Sequence, residues 1–397
     1  QQQNSSIPIS TSSAEYRKSK RRQRETVPST VMHPRVPLPP PPLSMHDFAL
    51  SLLRAASGKA ENFVISPFSI GVALAIIHDG AKEETQRELT RLLGKGLTPS
   101  EVFSIYSSLT AALSEENATV ITSVATRFYL NKEIQLKSEY QSHIEKAYNT
   151  TAINMNFMDG EACAKDVNSF VKETTRGMIP AIATAENFTG SCAVLFNAVY
   201  FKGAWMKPFE KIATQSKTFH GIAGDRKELF MCAPRFTQYS LNDKLMVVSL
   251  KFNDPAYSML VMMPSSDYGE WRANLTAINL HEAMENHTNG KVKLELPKWK
   301  LESSTDGKAA MEKCGVKSIF NQSADLSGIS NDAILISSIA HKAVIEVNEE
   351  GTQAAAVSDV VICGLPPTDP PINITFNKPF LYCLLREKYI LFIGEVC

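Results

Sequence analysis

Histidines, serines and cysteines are the residues of this 397-residue sequence that could carry out hydrolytic chemistry. A serine hydrolase of the nucleophile-elbow type needs G-x-S-x-G, and no serine is flanked in that way. His281-Glu282 suggests a metalloprotease helix, but Glu285 stands four residues after His281 and His287 stands six after it. Six residues turn roughly 240° around a helix, so the two histidines cannot share a face. The sequence therefore favours neither class of hydrolase.

Cofactor and metal motifs are missing as well. Neither a Walker lysine loop nor a dinucleotide-binding glycine fingerprint occurs, so we predict no nucleotide cofactor. The cysteines have no C-x-x-C spacing, which predicts neither a metal site nor a complete disulfide framework. Their number is odd, so at least one thiol is free or pairs with another chain: Cys163, Cys192, Cys232, Cys314, Cys363, Cys383 and Cys397. Catalysis by a cysteine with His341 stays open, although a buried histidine and buried thiols explain the same residues.

Composition and charge limit the partners. The chain has 41 basic and 41 acidic residues, so no overall field attracts nucleic acid or an anionic membrane. The longest apolar run, residues 64–77, contains serines, a proline and a glycine and falls short of the ~18 residues of a membrane helix. We therefore predict no nucleic-acid partner and no membrane insertion.

Glycosylation motifs indicate the compartment. With 21 asparagines and 62 serines and threonines, chance predicts roughly three N-x-Ser/Thr motifs. Eight are present: Asn4, Asn117, Asn149, Asn187, Asn274, Asn286, Asn321 and Asn373. The sequence also starts at Gln1, as if a signal peptide had been removed. These features predict a secreted, extracellular glycoprotein.

Residues 1–43 differ from the rest, being rich in serine and glutamine, then basic, then rich in proline. Such a segment cannot form a core and is predicted to be a disordered extension of a domain at 44–397. Its basic cluster could bind a heparin-like glycosaminoglycan, could be cut by a convertase, or could be a solvated tail. The cluster consists of Arg17, Lys18, Lys20, Arg21, Arg22 and Arg24.

The elements that must position any site begin with helices and continue mainly with strands. Ser66 as N-cap and Pro67 as first helical residue predict the start of one helix, and the apolar spacing over 82–93 predicts another. Short strands are predicted at 124–130, 194–205, 245–252, 257–263, 292–296, 343–347 and 390–396. Helices followed by strands, without regular alternation, predict an α+β domain with antiparallel or mixed sheets.

A segment after Gly351 has the pattern of a strand. Its even positions are small or aliphatic: Thr352, Ala354, Ala356, Ser358, Val360 and Ile362. Strand side chains alternate between faces, so residues 352–364 could enter a sheet with this set toward the core and Asp359 toward solvent. Prolines and glycines at 364–371 favour an exposed loop there. An ordinary alanine-rich strand or helix with a linker explains the same pattern.

Seven segments, in order over more than 300 residues, carry a resemblance to a known family. They are 62–70 (NFVISPFSI), 195–205 (LFNAVYFKGAW), 296–298 (LPK), 324–329 (ADLSGI), 341–343 (HKA), 349–356 (EEGTQAAA) and 376–380 (FNKPF). The chain resembles the serpins. The resemblance implies a metastable fold of three β-sheets and eight or nine helices, an exposed reactive-centre loop at about 349–376, and a monomer.

The resemblance also implies a function without catalysis. A serine protease would cut the loop and be held as an acyl-enzyme while the loop inserts into the central sheet, so the protein would be a suicide substrate. The implied hinge consists of Glu349, Glu350, Gly351, Thr352, Gln353, Ala354, Ala355 and Ala356. The implied polar cluster beneath the sheet opening is Ser66, Ser69, Asn197 and His341, with Trp205, Lys298 and Glu349 where insertion begins.

The bond that is cut is harder to place. The family's spacing from Gly351 gives Leu365-Pro366, which would suit a chymotrypsin-like or elastase-like protease. Proline after the cut is unfavourable for most serine proteases, so other positions stay open: Ile362, Cys363, Gly364 and Thr368. A non-inhibitory serpin, acting as carrier, peptide precursor or chaperone, is the alternative function.

Overall fold

The structure is a computed structural model that describes residues 38–114, 119–351 and 370–397. The basic cluster at 17–24 and Asn4 and Asn117 therefore lie outside the described residues, and the proposed extension at 1–43 stays a prediction. Two units separate at Pro39 and Pro40, and the second, to Cys397, contains every element described below.

Nine α-helices lie in the described residues, which agrees with the eight or nine expected. They are α1 (Leu43–Ala56), α2 (Pro67–Gly80), α3 (Glu83–Leu93), α4 (Pro99–Ser114), α5 (Ser138–Tyr148), α6 (Gly160–Thr174), α7 (Tyr268–Asn274), α8 (Ala277–Glu285) and α9 (Gly307–Lys313). Short 3₁₀ turns lie at Ala185–Asn187, Lys211–Ala213 and Ser318–Phe320. The predicted start of α2 is confirmed, because the side chain of Ser66 accepts a hydrogen bond from the Ser69 N–H.

Fourteen strands follow in the same part of the chain. They are β1 (Phe63–Ile65), β2 (Val120–Asn131), β3 (Ala152–Met155), β4 (Ala193–Gly203), β5 (Gln215–Gly221), β6 (Gly224–Leu241), β7 (Leu245–Lys251), β8 (Tyr257–Pro264), β9 (Thr288–Pro297), β10 (Trp299–Asp306), β11 (Ile336–Val347), β12 (Ile372–Thr375), β13 (Phe380–Arg386) and β14 (Tyr389–Val396). All seven predicted strands are present, and the α+β class is confirmed.

The described strands form two hydrogen-bonded sheets, whereas three were expected. One has the order β1-β14-β13-β8-β7-β6-β9-β12, with β5 beside β6, and the other has the order β10-β11-β4-β2-β3. Strand β6 causes the difference, because it is 18 residues long and pairs with β5 at one end and with β7 at the other. Its continuous pairing with β9 from Phe230 to Tyr239 joins what would otherwise be separate sheets.

The five-stranded sheet holds the segments of interest. Strands β4 and β11 are parallel neighbours, with a register from Ile336–Ala193 to Val344–Tyr200. Their outer partners β2 and β10 are antiparallel to them. Parallel neighbours must be joined by a long connection, and here the whole region from β5 to β10 lies between β4 and β11 in sequence.

Both faces of β4 are buried. On the inner face lies α2, of whose 14 residues 13 are buried. On the outer face the side chains of Val194, Phe196 and Ala198 pack in one apolar cluster with Val167 and Val171 of α6. The continuous apolar sequence of β4 is explained by this double burial, because a strand with one wet face would alternate.

Candidate functional site: the end of strands β4 and β11

The site begins where β4 ends and the chain turns after β11. The Trp205 N–H donates to the Glu350 carbonyl at 3.2 Å, and Ala204 forms an isolated antiparallel bridge with Gly351. Gly351 therefore lies beside the end of β4, and the chain at Gly351 is antiparallel to β4. The residues that follow Gly351 start from a position at the edge of the β4–β11 pair.

Gly351 is required at this position by its backbone. Its φ is +91°, which residues with a side chain rarely adopt. A Cβ built on it would lie 2.3 Å from the Gly203 carbonyl oxygen and 2.6 Å from the Trp205 nitrogen. The Gly351 N–H also donates to the Asn348 carbonyl at 3.1 Å, closing the turn.

Glu349 ties this turn to two other segments. Its buried carboxylate accepts from Lys298 Nζ at 2.9 Å and from Thr214 Oγ1 at 2.7 Å. Burial alone would raise the pKa of Glu349, but the hydrogen bonds from Lys298 and Thr214 outweigh it and hold the pKa below its usual value. The neighbouring Glu350 pairs with Lys211 at 2.6 Å.

Trp205 completes this end of the sheet. The indole Nε1–H donates to the Asn348 carbonyl at 2.9 Å, and the ring stacks on Phe252 with centroids 4.4 Å apart. The sequence-predicted residues Trp205, Lys298 and Glu349 thus lie together around the turn at 348–351. The turn is therefore fixed by hydrogen bonds from Trp205, Lys298 and Thr214, which belong to three different segments of the chain.

The second predicted group, Ser66, Ser69, Asn197 and His341, is also one hydrogen-bonded cluster in the middle of the sheet. Asn197 Oδ1 accepts from Ser69 Oγ at 2.7 Å and lies 2.6 Å from His341 Nδ1. The Ser66 N–H donates to His341 Nε2 at 3.3 Å, while Ser66 Oγ donates to the Leu391 carbonyl at 2.6 Å. All four residues are at most 1% exposed.

These contacts fix the state of His341. A backbone N–H can only donate, so Nε2 is the acceptor and Nδ1 carries the proton that is donated to Asn197. Burial lowers the pKa of His341 to about 3, against the opposing effect of the Asn197 contact. Both nitrogens are occupied, so His341 is not placed to activate a cysteine.

Two threonines extend the cluster and were not recognised from the sequence. In the sheet register, Thr126 of β2 is opposite Asn197, Asn197 is opposite His341, and Thr305 of β10 is opposite His341. Thr126 Oγ1 accepts from Asn197 Nδ2 at 2.6 Å, whereas Thr305 Oγ1 is buried without a hydrogen-bond partner. We call Thr126, Asn197, His341 and Thr305 the polar row. The only feature of the sequence that could have indicated the two threonines is the alternation of side chains in β2 and β10, which places both on the inner face of the sheet.

Several predicted site residues lie outside the described residues. These are the hinge positions Thr352, Gln353, Ala354, Ala355 and Ala356 and the bond candidates Ile362, Cys363, Gly364, Leu365, Pro366 and Thr368. One expectation about this segment needs correction. A strand that entered between β4 and β11 would not have an open outer face throughout, because α6 covers that face at Phe196.

Six predicted glycosylation sites are within the described residues. Asn187 is half-buried, and its Oδ1 accepts from the Thr184 N–H. The other five are exposed: Asn149, Asn274, Asn286, Asn321 and Asn373. Glycosylation at all six asparagines stays a prediction.

Metal ligands, thiols and apolar helices are the other features of the described ranges that could form a site. No group of three or more histidine, cysteine, aspartate or glutamate side chains could hold a metal ion in the described residues. The six cysteines of this part of the chain are all free thiols. Within it, no helix combines the length and the hydropathy that a membrane crossing needs.

The comparisons with known proteins agree with one another. The family model described as Serpin (serine protease inhibitor) matches residues 43–397. Leukocyte elastase inhibitor from Homo sapiens is 34% identical over 371 residues, covering 88% of this chain and 96% of its own. Iripin-2 from Ixodes ricinus is 31% identical over 361 residues, covering 88% and 91%. The native structure of the thermophilic serpin tengpin superposes with a TM-score of 0.80 at 25% identity, covering 89% and 93%.

Proposed function

This chain belongs to the serpin family, and from that membership we propose that it inhibits a serine protease as a suicide substrate. The protease cuts the loop after Gly351 and is held as an acyl-enzyme while the cut loop enters between β4 and β11. No catalytic residue of this chain is needed, because the bond chemistry is that of the protease.

One observation carries the proposal. The neighbours β4 and β11 are parallel, and the chain leaves the turn at Gly351 antiparallel to β4. A strand that continued in this direction would be antiparallel to both neighbours, and antiparallel pairs are slightly more stable per residue than parallel ones. Residues 352–364 at ~3.3 Å each would span about 40 Å, so an attached protease would be carried a comparable distance.

The register supports this reading. If the antiparallel bridge between Ala204 and Gly351 is extended, Ser358 falls opposite Asn197 of the polar row. Residues opposite each other in a sheet point to the same face, so Ser358 would lie among hydrogen-bonding groups. The remaining inward positions would meet apolar residues, including Val199 and Leu195.

The target class rests on the candidate bond. Leu365 before the cut suits a chymotrypsin-like or elastase-like protease, and one relative is named leukocyte elastase inhibitor. Cleavage at Ile362, Cys363, Gly364 or Thr368 is the alternative, because Pro366 follows Leu365.

The test is a panel of chymotrypsin-like, elastase-like and trypsin-like proteases, with a denaturing gel to detect a covalent adduct. We expect Thr352→Arg to convert the inhibitor into a substrate, because residue 352 would lie opposite Gly203 on the inner face. A Cβ on Gly203 would already lie 2.7 Å from the Phe201 ring, so this face has no room for a charged side chain. Gln353→Arg is the matched control, because residue 353 would lie on the other face beside the partly exposed Lys202.

Stable adducts with the Thr352→Arg variant would contradict the mechanism. If no protease gives an adduct, and if cutting the loop leaves thermal resistance unchanged, the chain is a carrier or precursor instead.

Further parts of the proposal concern the surroundings of the molecule. We place it in the extracellular space, supported by eight glycosylation motifs, of which five of the six described ones are exposed. A monomer is proposed from the family membership alone. The basic cluster at 17–24 is the candidate glycosaminoglycan site. A mass decrease on enzymatic removal of N-glycans from the secreted protein tests the first point, and salt-dependent retention on heparin, lost without residues 1–37, tests the second.

A further inference from the structure

Arg235 of β6 is a buried cation, only 5% exposed. Burial lowers its pKa to about 10, so the guanidinium stays charged at neutral pH, and no carboxylate of the described residues contributes to that pKa. A charge buried without an opposite charge is unfavourable unless other groups compensate for it. The contacts that compensate for this charge therefore indicate what Arg235 does.

The contacts of the guanidinium lie on three consecutive residues. Nη2 donates to the Lys207 carbonyl at 2.8 Å and lies 3.5 Å from the Pro208 carbonyl. The guanidinium carbon lies 3.8 Å from the centre of the Phe209 ring, within the ~6 Å range of cation–π attraction. Nε is buried without a partner, so the contacts with residues 207–209 are the ones that offset the burial of the charge.

Residues 207–209 need an anchor of this kind, because they lie in neither a helix nor a strand. Pro208 has no N–H to donate, and the side chains of Lys207 and Pro208 are exposed. Such a segment is fixed by individual contacts rather than by a ladder of hydrogen bonds. Arg235 supplies contacts of this kind from β6.

The same segment contacts the turn at 348–351. The Phe209 N–H donates to the Glu349 carbonyl at 2.7 Å. Two further contacts join residues 211–214 to the same turn. Phe209 therefore connects Arg235 to the turn, because its ring packs on the guanidinium and its N–H binds the turn.

The turn already has the form of the start of a hairpin. Gly351 forms antiparallel bridges with Asn348 on one side and with Ala204 on the other. A loop that entered between β4 and β11 would continue both bridges, so the turn would stay in place while the loop moves. Insertion competes with hydrolysis of the acyl-enzyme, and a turn that is already in place lowers the entropic cost of insertion.

We propose that Arg235 positions this turn and thereby speeds insertion of the cut loop relative to hydrolysis of the acyl-enzyme. This inference rests on the proposed function. Arg235 is a positioning residue, because it acts through Phe209 and Glu349.

The experiment substitutes Arg235→Met in the full chain and uses a protease that forms an adduct with the wild type. Methionine is apolar and flexible and removes the buried charge, so we expect the variant to fold. The number of inhibitor molecules cut per protease molecule trapped should rise about threefold to tenfold, because contacts that hold the turn are lost. The rate at which the loop is first cut should stay the same.

Hydrogen exchange of the uncut protein tests the anchoring itself. In Arg235→Met the amides of residues 205–214 should exchange faster, including the Phe209 N–H, while those of β7 and β8 should exchange as in the wild type. Loss of a merely structural residue would accelerate exchange in the neighbouring strands as well.

Two variants serve as matched controls. Arg386→Met removes another buried arginine of the same sheet, 3% exposed, and should leave the number of molecules cut per protease trapped unchanged. Arg235→Lys keeps the charge and a donor but loses the planar group that packs on Phe209, so its value should lie between those of wild type and Arg235→Met. If Arg235→Met does not fold, Arg235→Lys decides the test, and a value equal to that of the wild type overturns the proposal.

The possible failures can be distinguished. If the wild type traps the protease and Arg235→Met traps it with the same efficiency, the role of Arg235 is overturned and the proposed function stands. Equal loss of trapping in Arg386→Met, or exchange that is unchanged at 205–214 or faster throughout the sheet, also overturns this role. If the wild type gives no adduct and cutting the loop leaves the thermal midpoint unchanged, the proposed function is wrong, and the role of Arg235 is overturned with it.

Discussion

Acidification is expected to destabilise the native state through His341. The folded protein holds the pKa of this imidazole at about 3, whereas an exposed histidine titrates near 6.5. Between these values the unfolded chain binds a proton that the native state does not bind. Stability from this group is therefore complete above about pH 6.5 and decreases as the pH falls toward 3.

The magnitude follows from the two pKa values. A pH of about 5 is about 1.5 units below the pKa of an ordinary histidine, so the histidine is protonated in the unfolded chain. In the folded protein His341 is still neutral at this pH. At ~1.4 kcal/mol per unit, His341 alone lowers the free energy of unfolding by about 2 kcal/mol relative to pH 7.5.

The assay is urea unfolding of the uncut protein at both pH values, for wild type and His341→Gln. Glutamine retains one donor for Asn197 and one acceptor for the Ser66 N–H, so the cluster can persist without a titratable group. Between pH 7.5 and pH 5 the free energy of unfolding should therefore fall by about 2 kcal/mol less in the variant than in the wild type. His220→Gln is the control, because His220 is exposed and paired with Asp225 at 2.8 Å.

The test compares how strongly the free energy of unfolding depends on pH in the wild type and in His341→Gln. Other groups titrate over the same range, but they are common to wild type and variant, so the difference isolates His341. An identical pH dependence in wild type and His341→Gln would refute the reasoning.

Three further predictions concern the same sheet. Gly351→Ala should lower the thermal midpoint of the uncut protein, because alanine is strained at a φ of +91°, at a cost on the order of 1–3 kcal/mol; an unchanged midpoint would contradict the described turn. Lys298→Met leaves the buried carboxylate of Glu349 without its cation, and we expect inhibitory activity to be lost faster on storage at 37 °C, measured as adduct formed against time. Thr126→Val should lower the free energy of unfolding in urea by about 1–3 kcal/mol, because Thr126 accepts a hydrogen bond from Asn197. Thr122→Val should lower it much less, because the hydroxyl of Thr122 is buried without a partner. Equal decreases would contradict the role of the polar row.

Local chemistry made parts of the fold predictable. Ser66 before Pro67 marks a helix start, since serine accepts from the third residue of the helix and proline needs no donor in the first turn. The strand β4 was visible as a long apolar run. The site residues came from the family resemblance, and the structure brings Ser66, Asn197 and His341 into one cluster.

Other parts depend on packing that a sequence does not contain. Strand β6 was not predicted, because Pro234 interrupts it and it lacks clean alternation. Proline is tolerated there because residues 231–237 pair with β9, while β5 and β7 pair with β6 only outside that stretch. Alternation after Gly351 predicted two faces, but it could not indicate that α6 covers the outer one.

The polar row has a consequence for which segments the sheet can accept. Any strand that enters between β4 and β11 must separate Asn197 from His341, whose side chains now satisfy each other at 2.6 Å. An entering strand with only aliphatic groups at that level would leave the Nδ1–H of His341 without its acceptor, at a penalty of about 1–3 kcal/mol. Ser358 brings a hydroxyl to this place in the chain's own loop. If the loop enters as proposed, the sheet disfavours a peptide that carries only aliphatic groups at this level, halfway along the path of entry.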